Sequence, residues 1–206
     1  ALADIVFGKT NPSGKLPITI PMHVGQSPIY YNELRQGRAL VNNRARPIDA
    51  IPRSAQQSVL GHSCTYLDYG DKPLFPFGFG LSYSSFEFLD ARAEKTEYAV
   101  SDTMRVNVTL ANKGRVAGDE VVQIYIRDLV SSVSRPVKEL KAFRKVHLDA
   151  GETRVEEFDI PISSFGLYDL DMKYVVEPGD FEILVSDCSD PAYCPSSGKF
   201  KITVNK

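Results

Sequence analysis

The sequence predicts a mainly β protein: a seven-stranded sandwich of the fibronectin type III or immunoglobulin-like kind, preceded by an incomplete α/β remnant with a long wrapping segment. Three observations predict it. From Ser84 onward, short runs alternate apolar and polar residues and are separated by turn signals. Before that point, residues 22–72 show no sustained period of either kind. At the junction, residues 73–88 read PLFPFGFGLSYSSFEF, with Phe75, Phe77, Phe79, Leu81 and Tyr83 on alternate positions and only Pro, Gly and Ser between them. In an extended chain this pattern puts an aromatic row on one face and a nearly bare surface on the other.

Taken in order, ALADIVFG reads as the end of a helix, with Ala1, Leu2, Ile5 and Val6 on one side and Gly8 as a left-handed stop. NPSG is a turn, and KLPITIP is a short strand whose prolines place it at an edge. One helix end, one strand and a wrap cannot enclose a core, so residues 1–83 are expected to lie on another body. The strand runs then follow. SFEFLDARA is the first. MRVNVTL sets Met104, Val106, Val108 and Leu110 on one face. EVVQIYIRD, after the turn signal NKGRVAGD, sets Val122, Ile124 and Ile126 on one face and Val121, Gln123 and Tyr125 on the other. KELKAFRKVHL turns Leu140, Ala142 and Val146 inward around a bulge. RVEEFDI carries Val155, Phe158 and Ile160; DFEILVS carries Phe181, Ile183 and Val185; KFKITV carries Phe200, Ile202 and Val204. The expected domains are therefore 1–83 and 84–206, the second large enough to bury roughly two thirds of its unfolded surface.

Composition narrows the function classes. The 206 residues are 43% hydrophobic and 24% charged, ordinary for a globular protein. A net charge of −2 gives no electrostatic reason to expect nucleic acid or an anionic membrane as partner. There is no apolar run long enough for a membrane-spanning helix. The first residue is Ala, not Met, and no signal peptide opens the sequence, so a processed or cut chain is expected.

Candidate chemistry is sparse. FGKT at residues 7–10 lacks the earlier glycine of a phosphate loop, and Ala3 stands in its place. His23, His62 and His147 are scattered and lie near no nucleophile motif. Asp68 and Asp71 sit beside Gly and Pro, where acidic residues form turns. Arg35, Arg38, Arg44, Arg46 and Arg53 have no aromatic interleaving, which argues against single-strand binding. In YYNELRQGR, Tyr30, Tyr31 and Arg38 are candidates for sugar contact; anchoring the wrap is the alternative role. NVT at 107–109 fits a glycosylation acceptor, with Asn107 outward. Cys188 and Cys194 bracket a polar loop and are compatible with a disulfide or with two free thiols. Cys64 has no evident partner, and these ligand types are too few and too irregularly spaced for a metal site. No cofactor is implied.

Six segments, in order along nearly the whole chain, carry a resemblance: ADIVFGKTNPSGKLPITIP, VGQSPIYYNELRQGR, YLDYGDKPLFPFGFGLSYSSFEF, VTLANKGRVAGDEVVQIYIRD, SSVSRPVKELKAFRKVHLDAGET and VEPGDFEILV. The chain resembles the C-terminal part of glycoside hydrolase family 3, of the bacterial periplasmic β-glucosidase type. The resemblance implies that residues 1–83 are the tail of an α/β sandwich domain and that 84–206 are a fibronectin type III-like domain. It implies partners outside this chain: a catalytic barrel bearing the aspartate nucleophile, and the rest of the α/β domain. It implies a β-glucoside or oligosaccharide substrate for the whole enzyme, and a periplasmic or secreted location. No catalytic residue carries over to any position of this chain. Phe75, Phe77, Phe79, Leu81 and Tyr83 are expected to dock across the junction, with Gly78 and Gly80 permitting close backbone approach. A stand-alone carbohydrate-binding or structural module is the competing expectation.

Overall fold

The computed structural model describes residues 2–34, 52–54, 72–194 and 197–205. After a short helix α1 (Leu2–Val6), the strands are β1 (Phe86–Ala93), β2 (Glu97–Ala99), β3 (Thr103–Asn112), β4 (Gly118–Asp128), β5 (Glu139–Leu148), β6 (Thr153–Pro161), β7 (Leu167–Tyr168), β8 (Tyr174–Val175), β9 (Gly179–Ser186) and β10 (Gly198–Asn205). The seven long strands are the seven expected runs. The other three, β2, β7 and β8, are two or three residues long, too short for periodicity to reveal them.

One sheet has the order β1-β3-β6 and the other β2-β10-β9-β4-β5; β7 and β8 form a separate hairpin. All long pairings are antiparallel, and β2 joins β10 in parallel. The core lies between the two sheets. Met104, Val106, Val108 and Leu110 of β3 and Phe158 and Ile160 of β6 meet Val122, Ile124 and Ile126 of β4 and Phe181, Ile183 and Val185 of β9. Each such large side chain contributes roughly 2 kcal/mol by leaving water.

Two expected core positions lie elsewhere. Val155 is 58% exposed, because Phe158 and Ile160 set the inward parity of β6 and Val155 has the other one. Leu140 pairs with Tyr125 while Ala142 pairs with Ile124, so the register shift at Lys141 puts them on opposite faces. Ala142 packs on the core; Leu140 is half-buried with Tyr125 on the outer face.

The N-terminal region has no comparable core among its described residues. α1 buries no residue, and Gly8 ends it at φ +73°. KLPITIP makes an isolated bridge, Ile20 to Phe75, rather than a strand. Leu16 and Ile20 N–H donate to the carbonyls of Phe79 and Phe75 at 2.9 and 2.8 Å, but Pro17 and Pro21 lack the donors a ladder needs. Buried Gln26 ties this region to the junction: its Oε1 accepts from Met22 N–H at 2.7 Å and its Nε2 donates to the Lys72 carbonyl at 3.1 Å.

Candidate functional site

The candidate site is the seam along which residues 11–34 and 72–83 lie against the sandwich. Its location follows from strand length. β9 ends at Ser186, opposite Gln123, so among the described residues Gly118–Val122 of β4 pair only with β5. Residues 11–15 lie beside this stretch of β4. Asn11 Nδ2 donates to the Ala117 carbonyl at 3.1 Å, and Lys15 Nζ meets Glu120 Oε1 at 2.6 Å. The Lys15 and Glu120 side chains are 12% and 6% exposed, and Asp187 Oδ2 lies 3.9 Å from the same ammonium. Burial pushes the Glu120 carboxyl above its usual range, and Lys15 offsets only part of that rise. Burial likewise raises Asp187, whose Oδ1 has no hydrogen-bond partner among the described residues. The seam thus holds two carboxylates against one lysine.

A second polar group sits on the outer face of β4. Gln123 and Tyr125 are both buried, although they have the parity opposite to the core. Tyr125 donates its hydroxyl to Gln123 Oε1 at 2.5 Å. Gln123 Nε2 donates to the carbonyls of Gly78 and Asp187, at 3.2 and 2.6 Å. One amide therefore joins β4, the junction segment and the loop after β9.

The junction segment does not form an extended aromatic ribbon. It turns at Pro76–Phe79, with Gly78 at φ +80°, and the buried members are Pro76 and Gly78. A Cβ on Gly78 would collide with the Gln123 side chain, and one on Gly80 with the backbone of Gly14. The bare positions are thus the contact surface. The aromatic residues pair sideways: Phe75 stacks on Phe79 at 5.0 Å, Phe77 stacks on Tyr31 at 4.3 Å, and Phe79 meets the edge of Tyr193 at 6.4 Å. Leu81 is 72% exposed and Tyr83 53%, although the Tyr83 hydroxyl donates to the Ile5 carbonyl at 2.7 Å.

Tyr31 lies between Phe77 and Tyr125, with its hydroxyl accepting a long bond from Leu140 N–H. Tyr30 is exposed, and flanks two clefts that share Thr19. One, of about 280 Å³, is lined by Glu33, Lys72, Lys138 and Asp190; the other, of about 410 Å³, by Pro17, Ile18, Pro28 and Phe77. Arg38, like His62, Cys64, Asp68, Asp71 and the other wrap arginines except Arg53, lies outside the described residues. His23 Nδ1 accepts from Gly25 N–H at 3.1 Å at the start of a single 3-10 turn, and exposed His147 meets Asp119 at 2.6 Å. Cys188 and Cys194 are bonded to each other, so their sulfurs beside Asp187 are not free thiolate ligands.

Residues 1–83 match the family model described as glycosyl hydrolase family 3 C-terminal domain, and residues 120–189 match a fibronectin type III-like domain. The chain belongs to glycosyl hydrolase family 3. Among its relatives, a periplasmic β-glucosidase of Salmonella typhimurium is 38% identical over 90% of this chain, and a β-xylosidase of Formosa agariphila is 38% identical over 92%. The crystal structure of a Listeria innocua β-glucosidase in complex with isofagomine superposes over the whole chain with a TM-score of 0.84 and 36% identity. The chain spans only 22%, 23% and 26% of those three proteins. Within this family-3 chain, no described helix is long and apolar enough to cross a membrane.

The seam residues Lys15, Glu120, Gln123 and Asp187 were not singled out by sequence reasoning. Lys15 and Glu120 are far apart in sequence and sit in ordinary contexts. The usable signal was in EVVQIYIRD, where Val121 and Tyr125 on the second face of the strand mark a sheet covered on both sides.

Proposed function

We propose that this chain is the C-terminal scaffold of a larger retaining β-glycosidase, with 1–83 the tail of its α/β domain and 84–206 its terminal sandwich. The whole enzyme hydrolyses terminal β-glycosidic bonds, of glucosides or related sugars, by a two-carboxylate double displacement. Both catalytic carboxylates belong to partner regions, the barrel and the remainder of the α/β domain. The enzyme works in the periplasm or outside the cell. This chain's part is positional: it holds loops of the neighbouring domain in register for catalysis.

The observation that carries this reading is the seam itself. A buried ion pair, a buried amide and close glycine contacts fix residues 11–15 and 73–80 on the sandwich, while Leu2 and Val6 of α1 and the following Phe7 are uncovered. The sandwich thus grips one side of a segment whose other apolar side is open to a larger body. Phe75, Phe77 and Phe79 brace this segment laterally, and Leu81 and Tyr83 face the neighbour.

The isolated chain is expected to give no turnover of aryl β-glucosides or β-xylosides. Adding the remainder of the enzyme as a separate polypeptide is expected to restore it. Turnover by the chain alone would refute the scaffold role. Exposed Tyr30 between its two clefts favours a second reading, a carbohydrate-binding module. Saturable binding of cello- or xylo-oligosaccharides that is lost in Tyr30→Ala would select it.

A further inference from the structure

The loop after β9 has two sets of contacts. On the sandwich side, the Asp187 carbonyl accepts from Gln123 Nε2 at 2.6 Å, and the Ser189 carbonyl accepts from Lys138 Nζ. On the other side it holds the junction segment. Ser189 N–H donates to the Phe77 carbonyl at 2.9 Å, the Tyr193 hydroxyl donates to the Pro73 carbonyl at 2.6 Å, and the Tyr193 ring meets Phe79. The two donors that reach the segment, at 189 and 193, lie inside the ring closed by Cys188 and Cys194.

The loop has little else to define its shape. Its sequence, DCSDPAYC, is polar, and its internal bonds are turn bonds such as Tyr193 N–H to the Asp190 carbonyl. Among the described residues, no strand pairs with it. The cross-link restricts the separations that Ser189 and Tyr193 can adopt, and so keeps both donors matched to carbonyls four residues apart on the segment. Both cysteines are buried, at 1% and 2% exposure, beneath the contact they support.

We propose that residues 187–194 are a redox-dependent clasp: the Cys188–Cys194 bond keeps the loop in the shape that retains residues 73–79 on the sandwich, and reduction releases them. The chemistry is a thiol–disulfide exchange. A dithiol reductant supplies two electrons and two protons, the Cys188–Cys194 bond breaks to two thiols, and the reductant leaves as its own cyclic disulfide. The inference does not depend on the scaffold role, because its readout is local to this chain.

Alkylation of the denatured chain without reductant is expected to label one cysteine, Cys64; labelling of all three overturns the proposal. Hydrogen exchange then reads the clasp. In Cys188→Ala/Cys194→Ala, the Ser189 and Gly78 amides are expected to exchange at least about tenfold faster, while Val106 and Val108 in β3 are unchanged. Wild-type protein treated with a dithiol is expected to show the same pattern, and it carries the test if the variant does not fold. Unchanged exchange at Ser189 and Gly78 in the reduced protein overturns the proposal. So does equal acceleration throughout the chain, which would mean that the bond supports general stability and not this contact.

Discussion

The sandwich and the segment that leans on it are stabilised by different physics. The long strands from β1 to β10 bury alternate apolar side chains between two sheets, so their stability is spread over many similar contacts. Residues 11–34 and 72–83 bury few large side chains and are held by a few specific groups: Lys15 on Glu120, Gln123 on Gly78, and the loop at Ser189 on Phe77. A distributed core tolerates the loss of one contact in proportion to its area. A seam built from a few polar contacts fails when a single partner is removed, because the other is left buried and unpaired.

Mutations test this contrast, taken from the largest effect to the smallest. Phe181→Ala, in the centre of the core, is expected to cost about 4 kcal/mol in urea unfolding. Lys15→Met is expected to cost about 3 kcal/mol despite adding apolar surface, because it strands Glu120. A cost near zero would show that the seam is not held by that pair. Gly78→Ala, at positive φ and against Gln123, is expected to cost about 2 kcal/mol and to perturb the environment of Tyr125. The chain has no tryptophan and ten tyrosines, so tyrosine fluorescence carries a contribution from Tyr31 and Tyr125 at the seam. Leu81→Ser, at an exposed position of the same segment, is expected to change stability by less than about 0.5 kcal/mol in this chain.

The pH dependence follows from the unbalanced carboxylates. Glu120 and Asp187 are both raised in the folded state, by burial. A raised carboxyl favours folding while it is protonated. Its contribution is therefore complete below the unfolded carboxylate range and declines as pH rises through the folded value. Gly78 amide protection is expected to fall as pH rises above that range, and to fall less in Glu120→Gln. Protection that instead rises with pH in the wild type and not in the variant would contradict this sign.

The same contrast explains what the sequence made legible. Periodicity placed all seven long strands, because burial between two sheets imposes alternation on each of them. It misplaced Val155 and Leu140, since RVEEFDI has apolar residues of both parities and the bulge at Lys141 exchanges the faces beyond it. Alternation in PLFPFGFGLSY suggested an extended ribbon. The structure turns at Gly78 instead, because the glycines carry the contact and the aromatic rings pair with one another. The seam was illegible because its partners are joined by hydrogen bonds and charge across long sequence separations, which leave no local pattern.

Separate expression of residues 1–83 and 84–206, with thermal melting followed by circular dichroism, tests the asymmetry most directly. The account predicts one cooperative transition for 84–206 and none for 1–83. A cooperative transition from 1–83 alone would contradict it.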